Sequence, residues 1–308
     1  MLEFFFDCSS PWTYLAFHNI QPLAKDLGVE ISWRPILVGG IFNTVNPSVY
    51  ASRETPVPLK ARYMKKDLAD WAGSAGLAIK MPPTVFPVNS VKAMRGCIWL
   101  GQDMVPFATA VFEAYWGADK DISQDSVLTE VCKKAGVDHV KFFEGISQQA
   151  IKDQLKANTD EVMARGGFGS PTIFVDMTDM YFGNDRMPLI REALERVKAM
   201  RGCIFLGKDM LPFARAVFEA YWGADKDISK DDVLTEICVT VGVDPAKFLA
   251  GIADQAIKDQ LKANTDEVMA RGGFGSPTIF VDKTDMYFGN DRMPLVREAL
   301  ARLKARAA

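Results

Sequence analysis

The chain has 308 residues, 48% of them apolar and 24% charged, with a net charge of −3, a mix that suits an ordinary globular protein of one large domain or two medium ones. That balance leaves no basic footprint for nucleic acid or an anionic membrane surface, and no apolar run reaches the roughly 20 residues of a membrane span. With His18 and His139 as its two histidines, the chain lacks the ligands for a histidine-rich metal site, and no metal is expected.

In chain order, Leu2–Phe6 reads as a short buried strand. The tract "FFFDCSSPWTYLA" then breaks at Asp7-Cys8-Ser9-Ser10, and a helix is predicted from Pro11 to about Leu27, with proline in its first turn and Gly28 as its stop. "VEISWRPILV" alternates like a second strand ending near Gly39-Gly40, which completes a right-handed βαβ unit. From about Pro58 to Gly166 the pattern is helical, with an apolar stripe at Leu59, Tyr63, Leu68 and Trp71, and with residues 89–105 as one helix capped near Asn89 or Ser90. The period then changes to strands: "GSPTIFVD", a turn at Met177-Thr178-Asp179, and "MYFG". "NDRMPLIREALERVK" closes as an amphipathic helix with Asn184 and Asp185 at its mouth. The glycines of "GGFGSPT" do not make a phosphate loop, because Pro171 leads into a strand and not a helix. The order βαβ, helices, ββα is the α/β thioredoxin plan with a helical insertion, and Pro171 is a candidate cis-proline ahead of the third strand.

The tract from Val91 recurs from Val197 at an offset of 106, without a gap, with 89 of 110 positions identical over 91–200 against 197–306. The first 90 residues have no second copy. Residues 1–200 therefore read as a thioredoxin-like domain with its helical insertion at about 58–166, and 201–308 as a repeat of residues 95–202, part of the insertion plus a ββα half. The shared tract in "SVKAMRG" and "RVKAMRG" would permit unequal crossover between related genes. The first copy is expected to complete the fold, since using the second would close a loop of about 106 residues. The surplus half would then expose a strand edge, so a homodimer or swapped oligomer is expected.

Thiol-disulfide enzymes carry Cys-x-x-Cys at the first strand-to-helix junction, whereas these four positions read Ser10-Pro11-Trp12-Thr13. The five cysteines form no such pair, which suits reduced thiols in the cytoplasm, and Cys8 reads as a buried strand-end thiol. Glu3 and Asp7, with no basic region, argue against a secretory signal. Together "FFFDCSSPWTYLA", "LKARYMKKDLADWA", "FEAYWG", "FGSPTIFVD" and "YFGNDRM" resemble the kappa-class glutathione transferases and 2-hydroxychromene-2-carboxylate isomerases, in the DsbA-like branch of thioredoxin folds. The resemblance covers residues 1 to about 200. It implies glutathione as cofactor, with Ser10 against its sulfur and Thr13 as a second hydroxyl. Ser170, before Pro171, would pair with the cysteinyl backbone, and Asn184 and Asp185 would hold the γ-glutamyl end. Asn46 and Lys60 fall where relatives contact glutathione or a substrate carboxylate. The chemistry at Ser10 is reasonable: free N–H groups and the dipole at a helix N-terminus favour an anion, and a hydroxyl holds a thiolate without trapping it as a disulfide. Plainer roles stand beside these: helix capping for Ser10, Asn184 and Asp185, an ordinary turn at Ser170-Pro171, and solvated surface for Asn46 and Lys60.

The first functional reading is a glutathione-dependent isomerase of 2-hydroxychromene-2-carboxylate or a related aromatic-degradation intermediate. Thiolate addition to a conjugated carbon, rotation and expulsion would give the trans product, with Lys60 on the substrate carboxylate and Trp12 and Phe42 sheltering the rings. A kappa-like transferase or peroxidase is the alternative, and a non-catalytic binding or scaffold protein a third. Ser10 occurs once, whereas Ser276, Pro277, Asn290 and Asp291 duplicate the other motif residues, so at most one complete site is expected per chain.

Overall fold

The computed structural model describes residues 2–176, 179–282 and 284–307. The chain divides into two compact units, residues 1–194 and 195–308. In the first, β1 (Leu2–Phe6), α1 (Pro11–Asp26) and β2 (Ile31–Pro35) form the βαβ unit, followed by two short helices, α2 (Val38–Thr44) and α3 (Ser48–Glu54). Helices α4 (Pro58–Ser74), α5 (Val91–Leu100), α6 (Met104–Phe112), α7 (Asp125–Lys134), α8 (His139–Ser147) and α9 (Gln149–Ala164) make the insertion. Strands β3 (Thr172–Val175) and β4 (Asp179–Phe182) lead into α10 (Met187–Leu206), within which the division between the units falls. The second unit continues with α11 (Met210–Phe218), α12 (Asp231–Thr240), α13 (Pro245–Ala253), α14 (Gln255–Ala270), β5 (Thr278–Val281), β6 (Asp285–Phe288) and α15 (Met293–Ala307).

Among the described residues, one sheet has the order β2-β1-β3-β4 and the other is the pair β5-β6. β1 runs parallel to β2, Phe4 opposite Trp33, and antiparallel to β3, Phe4 opposite Ile173. The N-terminal strand is thus closed by the first copy of the ββα half. Every residue of β1 is buried, which explains its unbroken apolar run after Glu3. One core cluster joins the sheet, α1 and the insertion, with Phe4, Phe6 and Phe17 against Trp33, and Phe112 stacked on Tyr14 at 5.0 Å. On the opposite face of the sheet Phe5 meets Phe174, and the Arg165 guanidinium lies 3.8 Å from the Phe174 ring centre. Arg165 donates to Glu3 at 2.6 Å and to Glu161 at 2.8 Å, and Arg34 also pairs with Glu161. In the second unit a smaller cluster around Phe213, Leu234, Cys238 and Phe248 fills the helical part.

Four local expectations need correction. The second strand stops at Pro35, short of Gly39-Gly40: the Asp7 carboxylate accepts the Val38 N–H at 2.9 Å and the chain turns into α2. Residues 89–105 are two helices, because Gly101 takes a φ of +58°, open to glycine at little cost, and a 3₁₀ turn at Gly101–Asp103 intervenes. The apolar stripe on α4 is mostly exposed: Leu68 is buried with Ala72 against Leu15, while Leu59 and Tyr63 face solvent. Of the predicted turn, Met177 and Thr178 lie outside the described residues, and Asp179 opens β4.

Candidate active site

Ser10 is the N-cap of α1, in extended conformation, with Pro11 as the first helical residue. Its Oγ accepts the Thr13 N–H at 3.2 Å and donates to the Ser170 carbonyl at 3.1 Å. The Ser170–Pro171 bond is cis, as are Ser276–Pro277 and, unanticipated, Met81–Pro82 and Phe86–Pro87. Ser170 is nearly buried, and its hydroxyl accepts the Asp7 N–H at 2.9 Å and lies 2.7 Å from Thr13 Oγ1. Three chain segments (Asp7, the start of α1, and the turn before β3) therefore meet through the hydroxyls of Ser10, Thr13 and Ser170.

Thr13 does not stand at the surface as a second ligand hydroxyl. It is fully buried behind Ser10 and engaged with Ser170, because α1 turns it toward the sheet. Asp7, also buried, accepts N–H bonds from Ser9 and Val38 at 2.9 Å each, and the Ser90 side chain; burial nevertheless pushes its pKa up. Cys8 is buried, with its thiol pKa raised well above the usual range, by burial first and then by the Asp7 and Cys97 charges. The thiolate is the reactive form, so Cys8 is a poor nucleophile. Its carbonyl accepts the Trp116 indole N–H at 2.9 Å.

Asn184 is buried at the mouth of α10, where its Oδ1 accepts from Asn19 Nδ2 at 2.8 Å, while its own Nδ2 has no hydrogen-bond partner among the described residues. Asp185 is exposed and paired with Arg186 at 2.7 Å. Gly183, at φ +100°, brings the Asp185 carboxylate back over the turn. Asn46 lies between α2 and α3 and donates to the Phe168 carbonyl at 3.1 Å, which ties that loop to the turn before Pro171. Lys60 is exposed on the first turn of α4 and has no ion pair among the described residues. Trp12 is half-buried against Leu15, Leu68 and Ala72, so it serves the packing of α1 on α4.

Two aromatic residues beside the turn escaped the sequence reading. Phe168 and Phe182 pack with ring centres 4.4 Å apart, both partly exposed. A side chain at Gly169 would meet the Phe182 ring at 2.9 Å, so glycine lets that ring close over the turn, with Phe42 nearby. The signal lay in the residues flanking "GSP" and "GND". In the second unit Ser276, Pro277, Asn290 and Asp291 are all exposed, with no counterpart of Ser10.

The DSBA-like thioredoxin domain family matches residues 1–195 and again 196–301. The chain belongs to this family. Over 201 residues, 64% of the chain and 95% of the relative, it is 29% identical to a 2-hydroxychromene-2-carboxylate isomerase from Pseudomonas putida. It is 26% identical over 209 residues, 63% of the chain and 91% of the relative, to a kappa 2 glutathione S-transferase from Caenorhabditis elegans. A solved 2-hydroxychromene-2-carboxylate isomerase structure superposes with a TM-score of 0.55 at 27% identity, covering 65% of this chain and 96% of that one. A probable DsbA oxidoreductase from Streptomyces coelicolor, at 17% identity and a TM-score of 0.51 over 63% of this chain and 88% of its own, shares the fold. Among the described residues no helix is long and apolar enough to cross a membrane.

Proposed function

We propose that this DsbA-like protein is a glutathione-dependent cis–trans isomerase of 2-hydroxychromene-2-carboxylate or a related aromatic-degradation intermediate, working in the cytoplasm on a small-molecule substrate. The observation that carries the reading is the Ser10 hydroxyl, fixed at the N-terminus of α1 against the residue before cis-Pro171 in a chain without Cys-x-x-Cys. The isomerases and transferases named above support it.

The residues present suit glutathione. The Ser170 N–H has no hydrogen-bond partner among the described residues, which leaves it open to a cysteinyl carbonyl. The orphaned Asn184 Nδ2 and the Asp185 carboxylate offer a donor and an anion for the γ-glutamyl group. When bound, glutathione supplies a thiolate able to add reversibly to a conjugated carbon. Ser10 has one hydroxyl proton, which rests on the Ser170 carbonyl; rotation about its χ1 or hydroxyl bond brings that proton to a sulfur. The α1 N-terminus and this donor together favour the anionic form. Lys60 offers a cation to the substrate carboxylate, and Phe42, Phe168 and Phe182 give its rings an apolar wall.

Calorimetry on the full chain tests this. One glutathione site per chain is expected, with Ser10→Ala raising the pKa of the bound thiol and abolishing isomerisation. No binding, or unchanged turnover in Ser10→Ala, refutes the proposal. The transferase relatives favour a second reading, a kappa-like glutathione transferase; turnover of a chlorinated aromatic but not of a chromene carboxylate would select it.

A further inference from the structure

The second unit carries on its surface a stripe that the first unit keeps in its core. In the first unit Phe112 and Trp116 are fully buried beneath α1 and the turn before it: Tyr14 stacks on Phe112 and the Trp116 indole reaches the Cys8 carbonyl. Their counterparts Phe218 and Trp222 are 63% and 76% exposed, and Leu211, counterpart of Val105, is 65% exposed. With Ala214, Arg215 and Glu219 they line an open groove along α11 and the turn that follows it. A contiguous exposed apolar face of this kind marks an interaction surface.

Two differences between the copies say what covers it. Arg215 stands where the first copy has Thr109, and Thr240 where it has Lys134. In the first unit Lys134 forms an ion pair with Glu113. In the second unit the cation has moved onto the groove itself, and neither the Arg215 nor the Glu219 side chain has a hydrogen-bond or ion-pair partner among the described residues. Arginine one turn N-terminal to glutamate is the weaker orientation for pairing within a helix, so both charges remain available.

We propose that this α11 face is a two-fold interface with a second copy of the chain. Antiparallel helices related by an axis near Ala216-Val217 place Leu211 opposite the partner copy's Trp222, and Arg215 opposite the partner copy's Glu219. Symmetry makes each contact twice. The apolar side chains supply the burial and the paired charges fix register and direction. The other conceivable occupant is the N-terminal half of a neighbouring chain. Each chain has one such half, already seated on its own first unit. Moving it would bare Phe112 and Trp116 while covering Phe218 and Trp222, with no net burial.

Sedimentation equilibrium on the full chain tests the proposal. A dimer is expected whose dissociation constant rises at least about tenfold in Arg215→Glu and returns to within about threefold in Arg215→Glu/Glu219→Arg, where the charges are exchanged but still complementary. Circular dichroism should be unchanged in both, since neither side chain touches a core. A monomer persisting at roughly 100 μM, or a dimer indifferent to Arg215→Glu, overturns the proposal. So does a dimer whose subunits mix only after unfolding, which is the signature of exchanged N-terminal halves.

Discussion

Phe112 and Phe218 are the same residue of the repeat in two environments, which makes a paired truncation informative. Phe112 is fully buried, stacked on Tyr14 at 5.0 Å and tilted against Phe17 at 5.2 Å. Truncating such a ring to alanine removes its transfer free energy and leaves a cavity, at a cost of about 3–5 kcal/mol. Phe218 keeps 63% of its surface exposed, so its truncation should cost under about 1 kcal/mol. For a unit of this size each kcal/mol moves the melting temperature by roughly 2–4 °C, so Phe112→Ala should lower the first unit's transition by roughly 10 °C. A chain of two units need not unfold in one step. The clean assay is therefore native-state hydrogen exchange on the β1 amides, Leu2–Phe6, in dilute protein where α11 contacts between copies are absent. Phe112→Ala should lose protection there and Phe218→Ala should not. Equal losses, or a larger loss from Phe218→Ala, would refute the assignment of the N-terminal half to the first copy.

A second comparison uses the turn before the cis-proline. Ser170→Ala removes the acceptor of the Asp7 N–H and the partner of Thr13, and should cost about 1–3 kcal/mol, read as a shift in urea midpoint. Ser276→Ala, at an exposed serine, should stay within about 0.5 kcal/mol. Acid stability should carry two opposing signatures. Lys80 and Thr84 hold Asp119 down at about 2 from an ordinary 3.8, so its contribution is full above 3.8 and is lost as pH falls through 2. Asp7 is raised by burial, so its contribution is greatest below 3.8 and declines as pH rises. Stability measured from pH about 2 upward should show a shallower acid limb in Asp119→Asn and a weaker high-pH decline in Asp7→Asn.

Element order was legible because periodicity is local: the all-buried β1, the Pro11 start of α1 and the "GSPTIFVD" strand all follow from neighbours in the chain. The family, too, was legible in five short motifs. What escaped depends on partners distant in sequence. "ISWRPILV" gives no hint that Asp7, 31 residues before Val38, ends the strand. The α4 stripe looks like a core face until Leu15 proves to meet only one end of it. At the site, Ser10 and Ser170 were readable from motif register, but their direct hydrogen bond was not, nor was the inward turn that buries Thr13 between them. Phe168 and Phe182 pair across 14 positions and become a wall only when β3 and β4 fold back on each other.

The ion-pair ladder on the sheet bears on why half a domain can be copied at all. Glu3 and Arg34 come from the N-terminal half, Glu161 and Arg165 from the C-terminal half, and each set sums to zero. In the second unit Arg271 still pairs with Glu267 at 2.6 Å and covers Phe280 at 3.6 Å, without either N-terminal partner. Along this ladder the seam between the halves is electroneutral on both sides. Duplicating one side therefore strands no uncompensated ladder charge against an apolar ring; what the copy lacks is hydrophobic cover and the surface partners that Asp26 gives Arg191 and Lys80 gives Asp119. Along its sheet face, such a domain divides like a salt crystal cleaved along a neutral plane.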